Sequence, residues 1–211
     1  GPNGAGKSTL FDLITGFIAP DRGSITFKDT DITHLPAWQR ARAGIARTFQ
    51  MIRIFPKLSV IENLILASPH FSDRLANSWR ISLKNQSQAQ AAAILLLAEV
   101  NLQEKANHKA CDLSYGQQKL LEILRVMMTD ADLYLFDEPA AGVNRTMLHT
   151  ISKLISELKQ RGKTVLIVEH DMQFVMSMCE RIIVMDYGKE IAEGTPEEIQ
   201  NNPLVLEAYL G

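Results

Sequence analysis

The stretch "GPNGAGKST", residues 1–9, decides the fold. It satisfies the pattern G-x-x-x-x-G-K-[ST], in which glycines let successive backbone N–H groups point at phosphate oxygens. Lys7 is placed to reach the β and γ phosphates, and the Ser8 hydroxyl is placed to bind Mg²⁺. The segment "STLFDLITGF" predicts a helix whose positive end faces the phosphates. The predicted nucleotide-binding residues of this stretch are Gly1, Asn3, Gly4, Ala5, Gly6, Lys7, Ser8 and Thr9.

Composition sets limits on the class of protein. The 211 residues are 46% apolar and 22% charged, the balance of a globular chain. A net charge of −2 gives no reason to expect a nucleic acid partner. The cysteines Cys111 and Cys179 stand in no metal-ligand pattern and are predicted to be free thiols. No apolar run reaches the ~18 residues that a membrane helix needs.

Short apolar runs alternate with helical patterns along most of the chain. The runs "GSITF", "IARTFQ", "DLYLF", "KTVLIVEH" and "RIIVMDYGKEIAEG" predict strands, the last one folded back at Gly188. Between about Phe55 and Asp112 this alternation stops. There, "LSVIENLIL" and "QAQAAAILLLAEVNL" predict helices joined by a polar stretch.

This organisation predicts an α/β fold with a mostly parallel sheet flanked by helices, the fold of phosphate-loop NTPases, with an inserted α-helical subdomain. We place the nucleotide-binding core at residues 1–54 and 113–211, and the helical subdomain at residues 55–112. In such sheets ligands bind beyond the carboxyl ends of the strands.

Polar side chains stand where three predicted strands end. Asp137 and Glu138 follow "LYLF", and we expect Asp137 to hold Mg²⁺ through water while Glu138 deprotonates the attacking water. His170 ends the next strand, "LIVEH", from which it could reach the γ-phosphate. Gln50 ends "IARTF" just before the helical segment, and its amide could contact both Mg²⁺ and water. The predicted catalytic residues are Glu138, His170 and Lys7, and the predicted metal ligands are Ser8, Gln50 and Asp137.

A second anion-binding helix start is predicted at "LSYGQQKLLEILRVMM". Ser114 is a good N-cap, Gln117 completes a capping box, and Gly116 leaves room for close backbone approach. One nucleotide needs one phosphate loop. We therefore expect a second phosphate-binding helix start to contact the nucleotide of another subunit.

Taken together, these motifs resemble the ATPase subunits of ATP-binding-cassette (ABC) transporters, in order and spacing along the whole chain. The stretches "RTFQMIRIFPKLSVIENL", "LSYGQQKLLEI", "DEPAAGVN" and "EGTPEEIQNNPLVLEAYLG" are similar to the LivG-type subunits of branched-chain amino acid importers. The resemblance implies that ATP and Mg²⁺ bind between two ATPase subunits joined head to tail, in this branch a heterodimer. It also implies two membrane permeases docked on the helical subdomain, a substrate-binding protein, and a peripheral position on the cytoplasmic face of the inner or plasma membrane.

Three features depart from the family pattern. Tyr115 stands where many members have Gly, as in the branched-chain branch, and Asn144 stands where many have Asp, which puts contacts across the dimer in doubt. The family also has strands, and an aromatic residue that stacks on adenine, before its phosphate loop. We therefore expect residues 1–211 to be part of a longer chain, and we expect them alone to bind ATP weakly.

Other functions remain open on the sequence alone. Related ABC branches energise urea or amide uptake, or extract lipopolysaccharide. A soluble ABC ATPase acting on ribosomes or DNA usually carries two cassettes or long coiled coils, and this chain shows one cassette and no basic arm. A non-hydrolysing partner in an asymmetric pair is disfavoured because Glu138 and His170 are both present.

Overall fold

Helices and strands alternate in the computed structural model, which describes residues 1–69 and 79–210. In chain order they are α1 (Lys7–Thr15), β1 (Thr26–Phe27), β2 (Thr30–Asp31), α2 (Ala37–Arg42), β3 (Ile45–Arg47), α3 (Val60–Ala67), α4 (Trp79–Glu99), α5 (Tyr115–Met127), β4 (Leu133–Asp137), α6 (Arg145–Gln160), β5 (Thr164–Val168), α7 (Met172–Met178), β6 (Ile182–Asp186), β7 (Lys189–Gly194), α8 (Pro196–Gln200) and α9 (Pro203–Leu210). In the described part of the chain, no helix is long and apolar enough to cross a membrane.

A parallel sheet of β3, β4 and β5, in that order, lies at the centre. Ile45 is opposite Leu133, and Leu133 is opposite Thr164, so the three carboxyl ends meet at one edge. The central strand, β4, is buried from its second residue to Asp137, as expected of a near-continuous apolar run covered on both faces. The predicted α/β fold is thus confirmed.

The other described strands pair antiparallel in two ribbons. β1 pairs with β2 across Lys28 and Asp29, whose φ angles are 49° and 60°, so the predicted strand "GSITF" is reduced to two paired residues. β6 pairs with β7 across Tyr187 and Gly188, whose φ angles are 43° and 75°, so the predicted turn at Gly188 is confirmed. Turns with two left-handed residues match the twist of the strands they join.

An apolar groove of about 620 Å³ lies between β5 and β6. Its lining includes Val165, Ile167, Ile182 and Val184, and Gly1 also lines it. Among the described strands, β5 pairs only with β4 and β6 only with β7. One edge of β5 and one edge of β6 therefore have no described strand beside them.

The helical segment between β3 and α5 packs into the main core. Val60 and Leu64 of α3 join Leu97 of α4 and Leu121 of α5 in one apolar cluster, all fully buried. Ser59 and Lys109 form an isolated bridge, and no strand occurs among the described residues of 55–112. The same apolar cluster includes Tyr134 and Phe136 of β4, so α5 joins the helical segment and the parallel sheet in one core.

The start of α4 differs from the prediction. The sequence predicts a helix in "QAQAAAILLLAEVNL" with a solvated start in "KNQSQAQ", residues 84–90, but the helix begins at Trp79. "LKNQSQ" combines good helix formers with no Gly or Pro, while its residues 86–88 are exposed and give no apolar spacing to detect. Residues 70–78 of the predicted polar stretch, with His70, lie outside the described residues.

The segment "RTMLHTISKLISELKQRG" has apolar residues at helical spacing followed by Gly162, which predicts a helix that ends there, and α6 confirms it. The apolar positions of this segment face the core. The helix ends before Gly162, whose φ of 73° is left-handed. The predicted apolar positions are Met147 and Leu148, which are partly buried, and Ile151, Leu154, Ile155 and Leu158, which are fully buried. The segment "TPEE" predicts a capping box of Thr195 with Glu198 and Pro196 in the first turn, and α8 begins in this way.

Arg40 of α2 closes the carboxyl end of α1. Its side chain is buried, with 1% of the residue exposed. The guanidinium donates hydrogen bonds to four carbonyl oxygens, those of Leu13, Ile14, Thr33 and Leu35. The last carbonyls of a helix lack partners within the helix, so a buried cation at this end is doubly favourable.

We expect Arg40→Met to lower the free energy of unfolding by about 3 kcal/mol, because several buried carbonyls lose their donor. Urea denaturation of the purified protein measures the change. Arg42→Met is the matched control, because Arg42 lies on the same helix and is exposed. Equal denaturation midpoints for the two variants would contradict this role for Arg40.

Candidate functional site

A cavity of about 440 Å³ lies above the carboxyl edge of the parallel sheet. The residues from Asn3 to Thr9 form one wall, and Gln50, Glu138 and His170 complete it. Gly4 and Gly6 have φ angles of 80° and 93°, a left-handed backbone that glycine adopts readily. Gly6 is the N-cap of α1 and makes no side-chain cap, so the first N–H groups of the helix remain free for an anion.

Lys7 folds back over the loop. Its ammonium donates hydrogen bonds of 2.7 Å to the carbonyl oxygens of Gly1 and Pro2. Burial lowers the pKa of Lys7, and the nearby carboxylates of Glu138 and Asp137 partly oppose that effect. These contacts hold the cation at the loop, where an incoming phosphate group could replace the carbonyls.

Glu138 meets two other predicted residues inside the cavity. Gln50 Nε2 donates a hydrogen bond of 3.3 Å to Glu138 Oε2, and His170 Nδ1 lies 3.8 Å from Glu138 Oε1. Glu138 itself has a φ of 48°, in the left-handed region. Its N–H donates to the carbonyl oxygen of Val168 at 2.9 Å, which fixes this conformation against the end of β5. The structure therefore brings Gln50, Glu138 and His170 together with the phosphate loop.

Asp137 lies behind the cavity rather than in its lining. Its Oδ2 accepts a hydrogen bond of 2.9 Å from Arg47, whose side chain is 7% exposed. Its Oδ1 is buried and has no hydrogen-bond partner in the described structure. An unpaired buried carboxylate oxygen beside the phosphate loop fits a water ligand of Mg²⁺, which keeps several waters in protein sites. No group of three or more His, Cys, Asp or Glu side chains in the described residues forms a metal cage of its own.

Two charged residues of the site have no counterpart in the sequence prediction. Arg47 of β3 pairs with Asp12 of α1 as well as with Asp137, so it joins the phosphate-loop helix to the acidic strand end. Glu169 is buried, and it accepts hydrogen bonds from the N–H groups of Ala140 and His170 at 2.6 Å and 3.0 Å. Both residues could have been identified from the sequence, because each is a charged residue within an otherwise apolar predicted strand: Arg47 in "IARTF" and Glu169 in "LIVEH".

The second predicted phosphate reader lies at the start of α5. Ser114 Oγ accepts from the N–H of Gln117, and Gln117 Oε1 accepts from the N–H of Ser114, so the predicted capping box is present. A Cβ on Gly116 would lie 2.9 Å from the side chain of Met147. None of Ser114, Gly116 and Gln117 lines the cavity that holds the phosphate loop. The two predicted phosphate-binding helix starts of one chain, those of α1 and α5, therefore do not line the same cavity.

Asn144 has a local role that the sequence comparison with the family pattern did not suggest. Its side-chain oxygen accepts a hydrogen bond of 2.9 Å from the N–H of Met147, so it is the N-cap of α6. Asparagine and aspartate are similarly good N-caps. The replacement of one by the other therefore preserves the start of α6.

Comparison with known proteins gives the same family along the whole chain. A family model described as "ABC transporter" matches residues 1–141, and one described as "Branched-chain amino acid ATP-binding cassette transporter" matches residues 189–211. The chain is 44% identical over 219 residues to the high-affinity branched-chain amino acid transport ATP-binding protein LivG of Escherichia coli strain K12. It is 43% identical over 216 residues to BraF, the corresponding protein of Pseudomonas aeruginosa. Each match covers 100% of this chain and 85% of the relative.

Two solved structures of ATP-binding cassettes have the same fold as this chain. MJ1267, an ATP-binding cassette of an ABC transporter in its ADP conformation, superposes with a TM-score of 0.82 at 35% identity, over 100% of this chain and 85% of that one. The ATP-binding cassette MJ0796, in a dimeric post-hydrolysis state bound to ADP and Pi, gives a TM-score of 0.78 at 28% identity. That match covers 92% of this chain and 82% of the other.

The buried ion pair of Arg47 with Asp137 yields a stability prediction. Arg47→Met leaves the carboxylate of Asp137 buried without a cation, and we expect the free energy of unfolding to fall by about 3–5 kcal/mol. Urea denaturation at neutral pH without Mg²⁺ measures the change. Arg181→Met is the control, since it removes a pair with Glu193 in which the arginine side chain is 74% exposed. A loss no larger than that of the control would show that Arg47 does not hold Asp137.

Proposed function

The chain belongs to the family of ABC transporter ATP-binding subunits, and from that membership we propose that it hydrolyses ATP to energise the import of branched-chain or related amino acids. The observation that carries the proposal is the convergence of the phosphate loop, Gln50, Glu138 and His170 on one cavity. The identity to LivG and BraF supports the substrate class, because both names specify branched-chain amino acid transport. ABC ATPases of other branches, such as those for urea or amide uptake or for lipopolysaccharide export, are the alternative.

We assign nucleotide binding to the loop and to the helix it opens. The free N–H groups at the start of α1 would bind phosphate oxygens, and Lys7 would exchange its two carbonyl partners for the β and γ phosphates. Ser8, Gln50 and Asp137 would hold Mg²⁺, with Asp137 acting through water. When bound, Mg²⁺ neutralises the charge that develops on the phosphates.

We assign Glu138 as the general base. Gln50 donates to its Oε2, His170 lies 3.8 Å from its Oε1, and the phosphate loop lines the same cavity. In hydrolysis a water oxygen would attack the γ-phosphorus while its proton passes to Glu138. The bond from the γ-phosphorus to the β–γ bridging oxygen breaks, and ADP leaves. His170 would contact the γ-phosphate and stabilise the charge on it.

The assembly proposed is a head-to-tail pair of ATPase subunits. The separation of Ser114, Gly116 and Gln117 from the cavity of their own chain supports this, because that helix start contributes nothing to its own chain's nucleotide site. The dimeric state of the related cassette MJ0796 is consistent with it. We further propose a sister ATPase as partner, and two permeases docked on residues 55–112 at the cytoplasmic face of the membrane. A substrate-binding protein would deliver the amino acid.

Glu138→Gln tests the catalytic assignment. The amide keeps the shape of the side chain but cannot accept the proton, so we expect ATP turnover to fall at least ~100-fold. Nucleotide binding should persist, and an ATP-bound dimer should accumulate, which light scattering detects. Glu190→Gln, at an exposed position in β7, is the control. Unchanged turnover in Glu138→Gln would rule out Glu138 as the base.

Arg53→Glu tests the docking of a permease. Arg53 is exposed, and its guanidinium lies 3.9 Å from the ring centroid of Phe49, directly after the Gln50 segment. We expect the charge reversal to reduce amino acid uptake in proteoliposomes more than it reduces ATP turnover. Arg22→Glu, an exposed change in the turn before β1, should alter neither rate. Equal losses of uptake and of ATP turnover in Arg53→Glu would contradict permease contact there.

A further inference from the structure

Helix α5 carries three charged residues on one buried stripe. Lys119, Glu122 and Arg125 follow each other at intervals of three, so each side chain neighbours the next along a row that winds across the helix. Lys119 is 6% exposed and Glu122 is 4% exposed, and Arg125 is partly buried. We refer to these three residues as the α5 stripe. Burying charge is costly unless hydrogen bonds compensate for it, so the contacts of the stripe need an explanation.

Lys119 holds the backbone of the catalytic loop. Its ammonium donates hydrogen bonds of 2.7 Å to the carbonyl oxygens of Glu138 and Ala141. Burial lowers the pKa of Lys119, and the carboxylates of Glu169, Glu122 and Glu138 partly oppose that effect. The ammonium therefore binds the two carbonyl oxygens at either end of the turn that follows Glu138. The backbone of Glu138 itself is in the left-handed region.

Glu122 and Arg125 hold the segment after Gln50. Glu122 Oε1 accepts a hydrogen bond of 3.0 Å from the N–H of Arg53, and Arg125 donates to the carbonyl oxygen of the same residue. The guanidinium of Arg125 also lies 4.8 Å from the ring centroid of Phe55. Both backbone groups of Arg53 are therefore bound to one helix.

We propose that the α5 stripe is a positioning device that couples the phosphate-reading start of α5 to both Gln50 and Glu138 of the same chain. The inference rests on the proposed function, in which Ser114 and Gly116 contact the partner's nucleotide. A shift of α5 that follows nucleotide binding there moves Lys119, Glu122 and Arg125 with it, because all lie on one rigid helix. The stripe residues act through Glu138 and Gln50 and touch no substrate.

The first experiment measures ATP hydrolysis by the assembled transporter. We expect Lys119→Met to lower kcat about tenfold with KM for ATP changed less than about twofold, because the phosphate loop is untouched. Lys119→Arg keeps the donors and should recover most of the loss. Lys159→Met is the matched control, since Lys159 also donates to a backbone carbonyl, that of Met178, away from the site. Should Lys119→Met fail to fold, Lys119→Gln carries the same expectation.

The second experiment follows the Gln50 segment directly. Met51 is 77% exposed, so Met51→Cys can carry a fluorophore in a chain with Cys111→Ser and Cys179→Ser. The labelled chain is assembled with its partners, and a non-hydrolysable ATP analogue is added with Mg²⁺. We expect Glu122→Met to reduce the fluorescence response at least about twofold at unchanged analogue affinity. Glu122→Gln, which keeps an acceptor oxygen, should restore it.

The outcomes separate this inference from the proposed function. If the chain without stripe changes neither hydrolyses ATP nor responds to the analogue, the proposed function fails, and the coupling fails with it. If that chain does both and the Met variants of Lys119 and Glu122 behave like Lys159→Met, only the coupling is overturned. A selective fall in kcat and in the response, recovered by the conservative variants, supports it.

Discussion

The parallel register of β3, β4 and β5 is the constraint on which the site depends. Because all three strands run in one direction, the residues that follow them come to the same edge, above which the phosphate loop closes. Gln50, Glu138 and His170 lie far apart in sequence and still meet within one cavity. A shift of one residue in this register would turn Asp137 from its buried position to the opposite face of the sheet.

Buried charges bind backbone groups at several points in this chain. Arg40 closes α1, Lys119 holds the turn after Glu138, and Glu169 accepts from Ala140 and His170. In each case the partner is a backbone group, which has no rotamer of its own. Each charge therefore fixes the path of a loop rather than the position of another side chain. The active loops are therefore held from beneath by the core, while their upper faces stay open to a ligand.

Local patterns explain what could be predicted from the sequence. The phosphate loop, the capping boxes at Ser114 and Thr195, and the inward face of α6 each depend on residues within a few positions of one another. The start of α5 also suggested from local sequence that it serves the nucleotide of another subunit, and the head-to-tail pairing that the family resemblance implies stays a prediction. The contacts of Arg47 could not be predicted in this way, because Asp137 lies on another strand and only the folded sheet brings them together. The early start of α4 was missed because exposed helical residues leave no apolar period.

The left-handed backbone at Glu138 sets the role proposed for this residue against folding stability. A glutamate adopts this conformation at a cost of about 1 kcal/mol or more, and glycine adopts it with almost none. A chain with glycine at this position would lose the proposed base and at the same time relax its backbone. Folding stability alone would therefore favour glycine over glutamate at position 138.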